Sequence, residues 1–268
     1  MNELTVTRGR VLVVAGSDSG GGAGIQADIK TITALGGYAA TAITALTAQN
    51  TQGVQGIFNV PEEFVRQQME LVLDDIGADA IKTGMLARRE MIATLAEVLV
   101  EKAPGVPLVL DPVMVAKGGA ALLEPEAVEL LVARLLPLAT VVTPNIPEAQ
   151  ILSGMTIRTP EQMREAAQRI LALGARAVLL KGGHLDGSIV CDLLLMPEGE
   201  KRFTDTRLMT RHTHGTGCTL ASAIACGLAR GKSLVESVEK ARIYLRQAML
   251  LAPGFGKGHG PLNHAWKG

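Results

Sequence analysis

The sequence predicts an α/β protein of three layers, a mostly parallel central sheet with helices on both faces. Three observations predict it. Short β-branched runs alternate with amphipathic stretches along most of the 268 residues, which is the pattern of stacked βαβ units. Polar and glycine-rich segments recur just after the strand-like runs, where open parallel sheets bind their ligands. The hydrophobic fraction is 47% while aromatic residues make up 3%, so the core must be aliphatic.

The elements follow in order. Val11-Leu12-Val13-Val14-Ala15 is the first strand, and a helix over 24–35 follows it. Strands over 38–45 and 54–60 precede a helix over 61–76, opened by Pro61 with Glu62 and Glu63. Proline in a first helical turn sacrifices no hydrogen bond, and acids there meet the positive end of the helix dipole. A strand over 79–83 leads to a helix over 88–102, and one over 107–111 to a helix over 124–136, opened by Pro125-Glu126. A strand over 140–143, a helix over 160–173 opened by Thr159-Pro160-Glu161, and a strand over 176–180 come next. Segments 188–196 and 201–207 read as antiparallel strands around Pro197-Glu198-Gly199-Glu200, and helices over 217–229 and 233–251 complete the set. With no low-complexity linker and no obvious repeat, a single domain over 1–268 is expected, since α/β folds often reach this length as one.

Composition narrows the function. Twenty-six basic and 26 acidic side chains give a formal net charge of zero, with no electrostatic footprint for nucleic acid or an anionic membrane. Four Phe, two Tyr and one Trp offer little for base stacking. The apolar stretches fall well short of the roughly 20 residues that span a bilayer, and Met1 to Arg10 is polar, without a secretory layout. Cys218 and Cys226 on one helix would stand about 12 Å apart, beyond disulfide reach. A reduced, cytoplasmic protein with no nucleic-acid or membrane partner is expected.

The first strand runs into Gly16-Ser17-Asp18-Ser19-Gly20-Gly21-Gly22-Ala23-Gly24. Gly22, Gly24 and Ala27 match a dinucleotide spacing, but that fingerprint needs an immediate turn, and no acid follows the next strand at Leu46-Thr47-Ala48-Gln49. No Gly-Lys-Ser/Thr makes a P-loop either. The segment is then either a tight connection or a backbone that a small ligand approaches closely. Asp28 shares an inward helical stripe with Ile25 and Ile32. An inward carboxylate needs a partner, either nearby amides or a polar heterocycle or hydroxyl. Gln49 offers an amide at the same end of the sheet, with ordinary turn chemistry as the alternative.

Gly215-Thr216-Gly217-Cys218 carries the strongest signal. Glycines at a helix start leave N–H groups open to an anion, and amides there stabilise charge on a transferred group. Cys218 in the first turn is expected to have a lowered thiol pKa and to accept a proton from an alcohol; the alternative is a small packing residue. His212 and His214 lack the companions of a zinc site and are expected to line the loop. Asp111 and Glu148 stand at adjacent strand ends, as hydrated Mg²⁺ with phosphate requires. Lys181 ends an apolar strand and points a cation at the same cleft. Together these are the parts of a phosphoryl-transfer site, and Lys117-Gly118-Gly119 is a candidate lid hinge.

The ordered motifs resemble the hydroxymethylpyrimidine/phosphomethylpyrimidine kinases of the ribokinase-like family. Val14 to Asp18 and Gly21 to Asp28 are similar to the family's opening, and the blocks Thr44 to Thr51, Lys82 to Leu86, Asp111 to Met114, Thr143 to Glu148, Lys181 to His184, His214 to Thr219 and Gly258 to His264 follow in register. The match covers 11–264. It implies a ribokinase-like fold, ATP as co-substrate, Mg²⁺, a pyrimidine alcohol as acceptor in thiamine biosynthesis, and a homodimer formed through 38–60. It implies that Gly16, Ala23, Asp28, Gln49, Met85, Val113 and Cys218 surround the pyrimidine. Asn145, Glu148 and Asp111 would then lie near metal and phosphates, and Lys181, His214 and Gly215 to Gly217 would meet the nucleotide. Sugar kinases of the wider family carry aspartate where this chain has Cys218, and relatives often have serine where it has Gly20. The expected reaction is phosphorylation of the alcohol, then of its monophosphate. Pyridoxal kinase activity and a non-catalytic pyrimidine-binding protein are the alternatives.

Overall fold

The computed structural model describes residues 9–115 and 123–266. Lys117-Gly118-Gly119 and the polar lead-in through residue 8 lie outside them. The chain runs β1 (Arg10–Asp18), α1 (Gly24–Ala34), β2 (Tyr38–Asn50), β3 (Gly53–Asn59), α2 (Glu62–Asp75), β4 (Ala80–Thr83), α3 (Arg89–Lys102), β5 (Leu108–Leu110), α4 (Pro125–Leu130), β6 (Val141–Val142), α5 (Ile146–Ser153), α6 (Pro160–Ala172), β7 (Val178–Leu180), β8 (Ile189–Met196), β9 (Gly199–Thr206), α7 (Thr216–Ala229) and α8 (Leu234–Leu250).

The nine strands form one sheet in the order β3-β2-β1-β4-β5-β6-β7-β8-β9. The six from β2 to β7 run parallel, and β3, β8 and β9 pair antiparallel at the two edges. Alternation along each strand assigns its residues to two cores. Leu12 and Val14 of β1 point to the face covered by α2 to α6, whereas Val11, Val13 and Ala15 point to the face covered by α1, α7 and α8. Leu108 and Leu110 against Val109, and Val178 and Leu180 against Leu179, repeat the division. Both faces are therefore aliphatic, and among the described residues Tyr244 is the single fully buried large aromatic.

The chain leaves β1 for β2 on one side and returns to β4 on the other, so the strand order reverses at β1. Such a reversal opens a crevice at the carboxyl ends of the strands. Three elements depart from expectation. Strand β2 runs on from the expected 38–45 to Asn50, so Gln49 lies within it rather than after it. Helix α5 occupies a segment to which the sequence pattern assigns no element. The helix expected over 124–136 is α-helical only to Leu130, then passes through a π turn over Leu131–Leu135 and a 3-10 turn over Leu136–Leu138. Pro137 stands where continuation would need its missing N–H. Among the described residues, no helix is long and apolar enough to cross a membrane.

Candidate active site

A cleft of about 1300 Å³ opens along the carboxyl ends of the strands. Gly16, Ala23, Gln49, Met85, Val113, Val190, Leu208, Leu245 and Met249 are among the residues that line it, together with Asp111, Asn145, Glu148, Lys181, His214 and the segment Gly215 to Cys218. Gly16 reaches the wall because the β1–β2 register shifts between Ala15 and Ser17.

The centre of the cleft is the start of α7. Gly215 holds φ at 82° as its N-cap, and no side chain caps the helix. A side chain at Gly215 would be strained by that backbone and would strike the carbonyl of Gly22, so glycine is required there twice over. A Cβ built on Gly217 would lie 3.5 Å from both Asp111 Oδ2 and Lys181 Nζ. The open helix terminus thus faces a lysine and a carboxylate directly. Lys181 Nζ donates to Asp111 Oδ1 at 3.2 Å, and Thr143 Oγ1 donates to the same oxygen at 3.0 Å.

Glu148 is fixed by the capping of α5. Its Oε2 accepts from Asn145 N at 2.8 Å, while Asn145 Oδ1 accepts from Glu148 N at 2.9 Å. Burial pushes the Glu148 carboxyl up to about 7, against the pull of Lys181 and with help from Asp111. Two carboxylates crowd one ammonium here, so the cluster is short of positive charge. Oxygen donors of this kind suit a hard cation that takes one or two carboxylates and leaves its other positions to water and phosphate. Among the described residues no group of three or more His, Cys, Asp or Glu is arranged to hold a metal ion by itself.

Two sequence-based expectations need correction. Asp28 is not on the cleft wall. It is fully buried, with both oxygens 3.0 Å from Lys82 Nζ and Oδ1 2.6 Å from Ser222 Oγ. Its partner comes from β4, far away in the chain, rather than from a ligand or local amides. The thiol of Cys218 does not have a lowered pKa. Cys218 lines the cleft, yet enough protein surrounds it that burial pushes the thiol up to about 11, and Asp28 and Asp111 add to the rise. Lys82 and the amide of Gly24 oppose it without prevailing. Loss of water around the sulfur outweighs the helix terminus, and the two carboxylates add to it.

Sequence reasoning passed over Lys82 and Asp18. Lys82 is fully buried; burial works against its charge, but Asp28, Cys218 and Asp111 outweigh that and raise its pKa. A lysine inside Ala80-Ile81-Lys82-Thr83, a strand buried throughout, was the available signal. Asp18 ends β1 and binds His214 Nε2 at 2.8 Å; the position of an acid among glycines was its signal.

The chain as a whole is similar to known proteins. The model of the family described as phosphomethylpyrimidine kinase matches residues 18–263. The thiamine biosynthesis bifunctional protein ThiED of Geobacter sulfurreducens is 54% identical over 96% of this chain, which spans 52% of that longer protein. The hydroxymethylpyrimidine/phosphomethylpyrimidine kinase of Streptomyces coelicolor is 51% identical, with 97% of this chain and 96% of the relative covered. Among solved structures, the ADP complex of Bacillus subtilis pyridoxal kinase superposes with a TM-score of 0.90 at 38% identity, covering 96% of this chain and 98% of that one. Phosphomethylpyrimidine kinase from Clostridium difficile superposes at 0.80 with 43% identity, covering 89% and 98%.

Proposed function

Because the chain belongs to the phosphomethylpyrimidine kinase family, we propose that it phosphorylates 4-amino-5-hydroxymethyl-2-methylpyrimidine with ATP, first to the monophosphate and then to the diphosphate, for thiamine biosynthesis. The observation that carries this reading is the bare start of α7, with Gly217 against Lys181 and Asp111 and with the Cys218 thiol on the cleft lining beside the amide of Gly24.

The pyrimidine ring is held by Gly16, Ala23, Gln49, Met85 and Val113, with Asp28 acting from behind the wall through Lys82. Phosphates of ATP lie on Lys181 and the amides of Gly215 to Gly217. The apolar slot by Leu245 and Met249 takes the nucleoside. Glu148 and Asp111, with Asn145 beside them, are the residues that would hold Mg²⁺, which when bound supplies positive charge against the phosphates.

A largely dissociative transfer asks the protein mainly for position and charge. Lys181 and the α7 amides hold the migrating group in line with the acceptor hydroxyl, and that hydroxyl gives its proton to Cys218. With the thiol near 11, the accepting thiolate is a minor species at neutral pH. Lys82 is the buried cation that compensates its charge. The second acceptor is a phosphate, already anionic, so it needs no base.

The reading extends to the whole molecule. Residues 1–268 act as one ribokinase-like kinase domain, with 11–264 carrying the family resemblance, that works in the cytoplasm as a homodimer. The dimer contact is the β2–β3 hairpin, which exposes Tyr38, Leu46, Ile57 and Phe58. Sedimentation of Phe58→Asp as a monomer beside a dimeric wild type supports that contact, and an unchanged dimer refutes it.

The pyridoxal kinase likeness supports a second reading in which the alcohol is pyridoxal. Coupled ADP-release rates with hydroxymethylpyrimidine, its phosphate and pyridoxal decide between them. A higher kcat/KM for the pyrimidine supports the first reading, a higher value for pyridoxal the second, and no ADP with any of the three a ligand-binding protein.

A further inference from the structure

One carboxylate gathers the loops on both sides of the reacting centre. Asp18 is 2% exposed. Its Oδ1 accepts from Gly20 N at 2.7 Å, and its Oδ2 from Gly22 N at 3.0 Å, Ala23 N at 2.8 Å and His214 Nε2 at 2.8 Å. Burial opposes its ionisation, but His214, Gln49 and the Ala23 amide prevail and draw its pKa down to about 2. An ionised carboxylate only accepts, so the Nε2 proton of His214 is committed to Asp18.

The contact between the two loops is close. The ring of His214 lies against Gly22, where an added Cβ would meet His214 Cδ2 at 2.5 Å. The following residue, Gly215, sits against the carbonyl of Gly22. A third segment backs the histidine, since His214 N donates to Gly260 O at 3.2 Å. Ala23 belongs to the acceptor wall, and Gly215 opens the helix terminus that takes the donor phosphates. The distance between those two loops is therefore the distance between the reactants.

We propose that Asp18 and His214 are a positioning pair which sets the spacing between bound acceptor and transferred phosphate, with His214 acting through Asp18 rather than as a ligand of the nucleotide. The inference rests on the kinase reading above. Misplacing reactants by about 1 Å costs about 10²-fold in rate, so a tie at this point belongs in kcat. A ligand to ATP would appear in the KM for ATP instead.

The test compares His214→Ala, His214→Gln, Asp18→Ala and Asp18→Ala/His214→Ala. Glutamine carries a side-chain N–H at about the reach of Nε2. The pair predicts that His214→Ala lowers kcat with the pyrimidine alcohol by about 10- to 100-fold, with the KM for ATP changed less than about twofold. It predicts that His214→Gln recovers most of the rate and that the double variant is no slower than Asp18→Ala. A raised KM for ATP at unchanged kcat, a glutamine variant as slow as the alanine one, or multiplying effects in the double variant overturns it. Thermal melts separate this from the kinase reading. If wild type releases no ADP with the alcohol, the kinase reading fails, yet the tie still predicts that His214→Gln melts with wild type and His214→Ala below it, and that the double variant melts no lower than Asp18→Ala. Equal melting of His214→Ala and wild type, or additive losses in the double variant, refutes the tie.

Discussion

Cys218 and Glu148 show how far a residue's chemistry depends on neighbours that its own segment does not contain. A helix start alone lowers a thiol pKa; loss of water, with two buried carboxylates adding to it, reverses the sign here. If the thiolate is the base, the alcohol step should accelerate as pH rises above 7, because more of the thiol near 11 ionises. Cys218→Ala should then be slower by about 10²-fold or more, with a gap to wild type that widens from pH 7 to 9 for the alcohol and stays small for the monophosphate. Parallel pH profiles for both proteins would exclude the base role. Glu148 makes a stability prediction of known sign. Its folded pKa of about 7 lies above the ordinary glutamate value of 4.5, so between those values the folded state holds more protons and stability falls as pH rises. Glutamine preserves the capping box without the charge. Glu148→Gln should therefore match the wild-type melting temperature near pH 5 and exceed it above pH 8, while its ATP-dependent turnover drops. A variant that melts lower at pH 8 would contradict the assignment.

At the scale of elements, the strands were legible because a sheet buried on both faces leaves continuous apolar runs, and the helices because proline and acids mark their starts. Helix α5 escaped because it is eight residues long and too short to display a period. Its capping pair, Asn145 and Glu148, was read for chemistry instead. The direction of β3 was hidden in the pattern, since alternation looks the same in either direction; the two-residue turn between Asn50 and Gly53 forces the antiparallel choice. The partner of Asp28 was not visible at all, because Lys82 meets it only once α1 is laid across β4 and α7 brings Ser222. This buried pair ties three elements beneath the acceptor wall. Lys82→Met leaves Asp28 unpaired and should cost about 3–5 kcal/mol, measured by denaturant unfolding, whereas Lys82→Met/Asp28→Asn should recover much of the loss. If the single and double variants were equally unstable, the ion pair would not be what holds that junction.

For the whole molecule, most of the residues singled out from the sequence line one cleft. Gly16, Ala23, Gln49, Met85, Val113, Asp111, Asn145, Glu148, Lys181, His214 and Gly215 to Cys218 all meet in one cleft, because each lies near or beyond the carboxyl end of a strand that opens at the same rim. What the sequence withheld were the ties between segments distant in the chain, through Asp18 on the cleft lining and through Lys82 and Ser222 buried behind it. The central claim is that one cleft serves both an alcohol and the phosphate made from it. ADP release measured to completion with limiting hydroxymethylpyrimidine and excess ATP tests this most directly. Two ADP per pyrimidine and a diphosphate product are expected, with one ADP per pyrimidine when the monophosphate is supplied. A reaction that stops at one ADP per alcohol, or that leaves the monophosphate untouched, would contradict it.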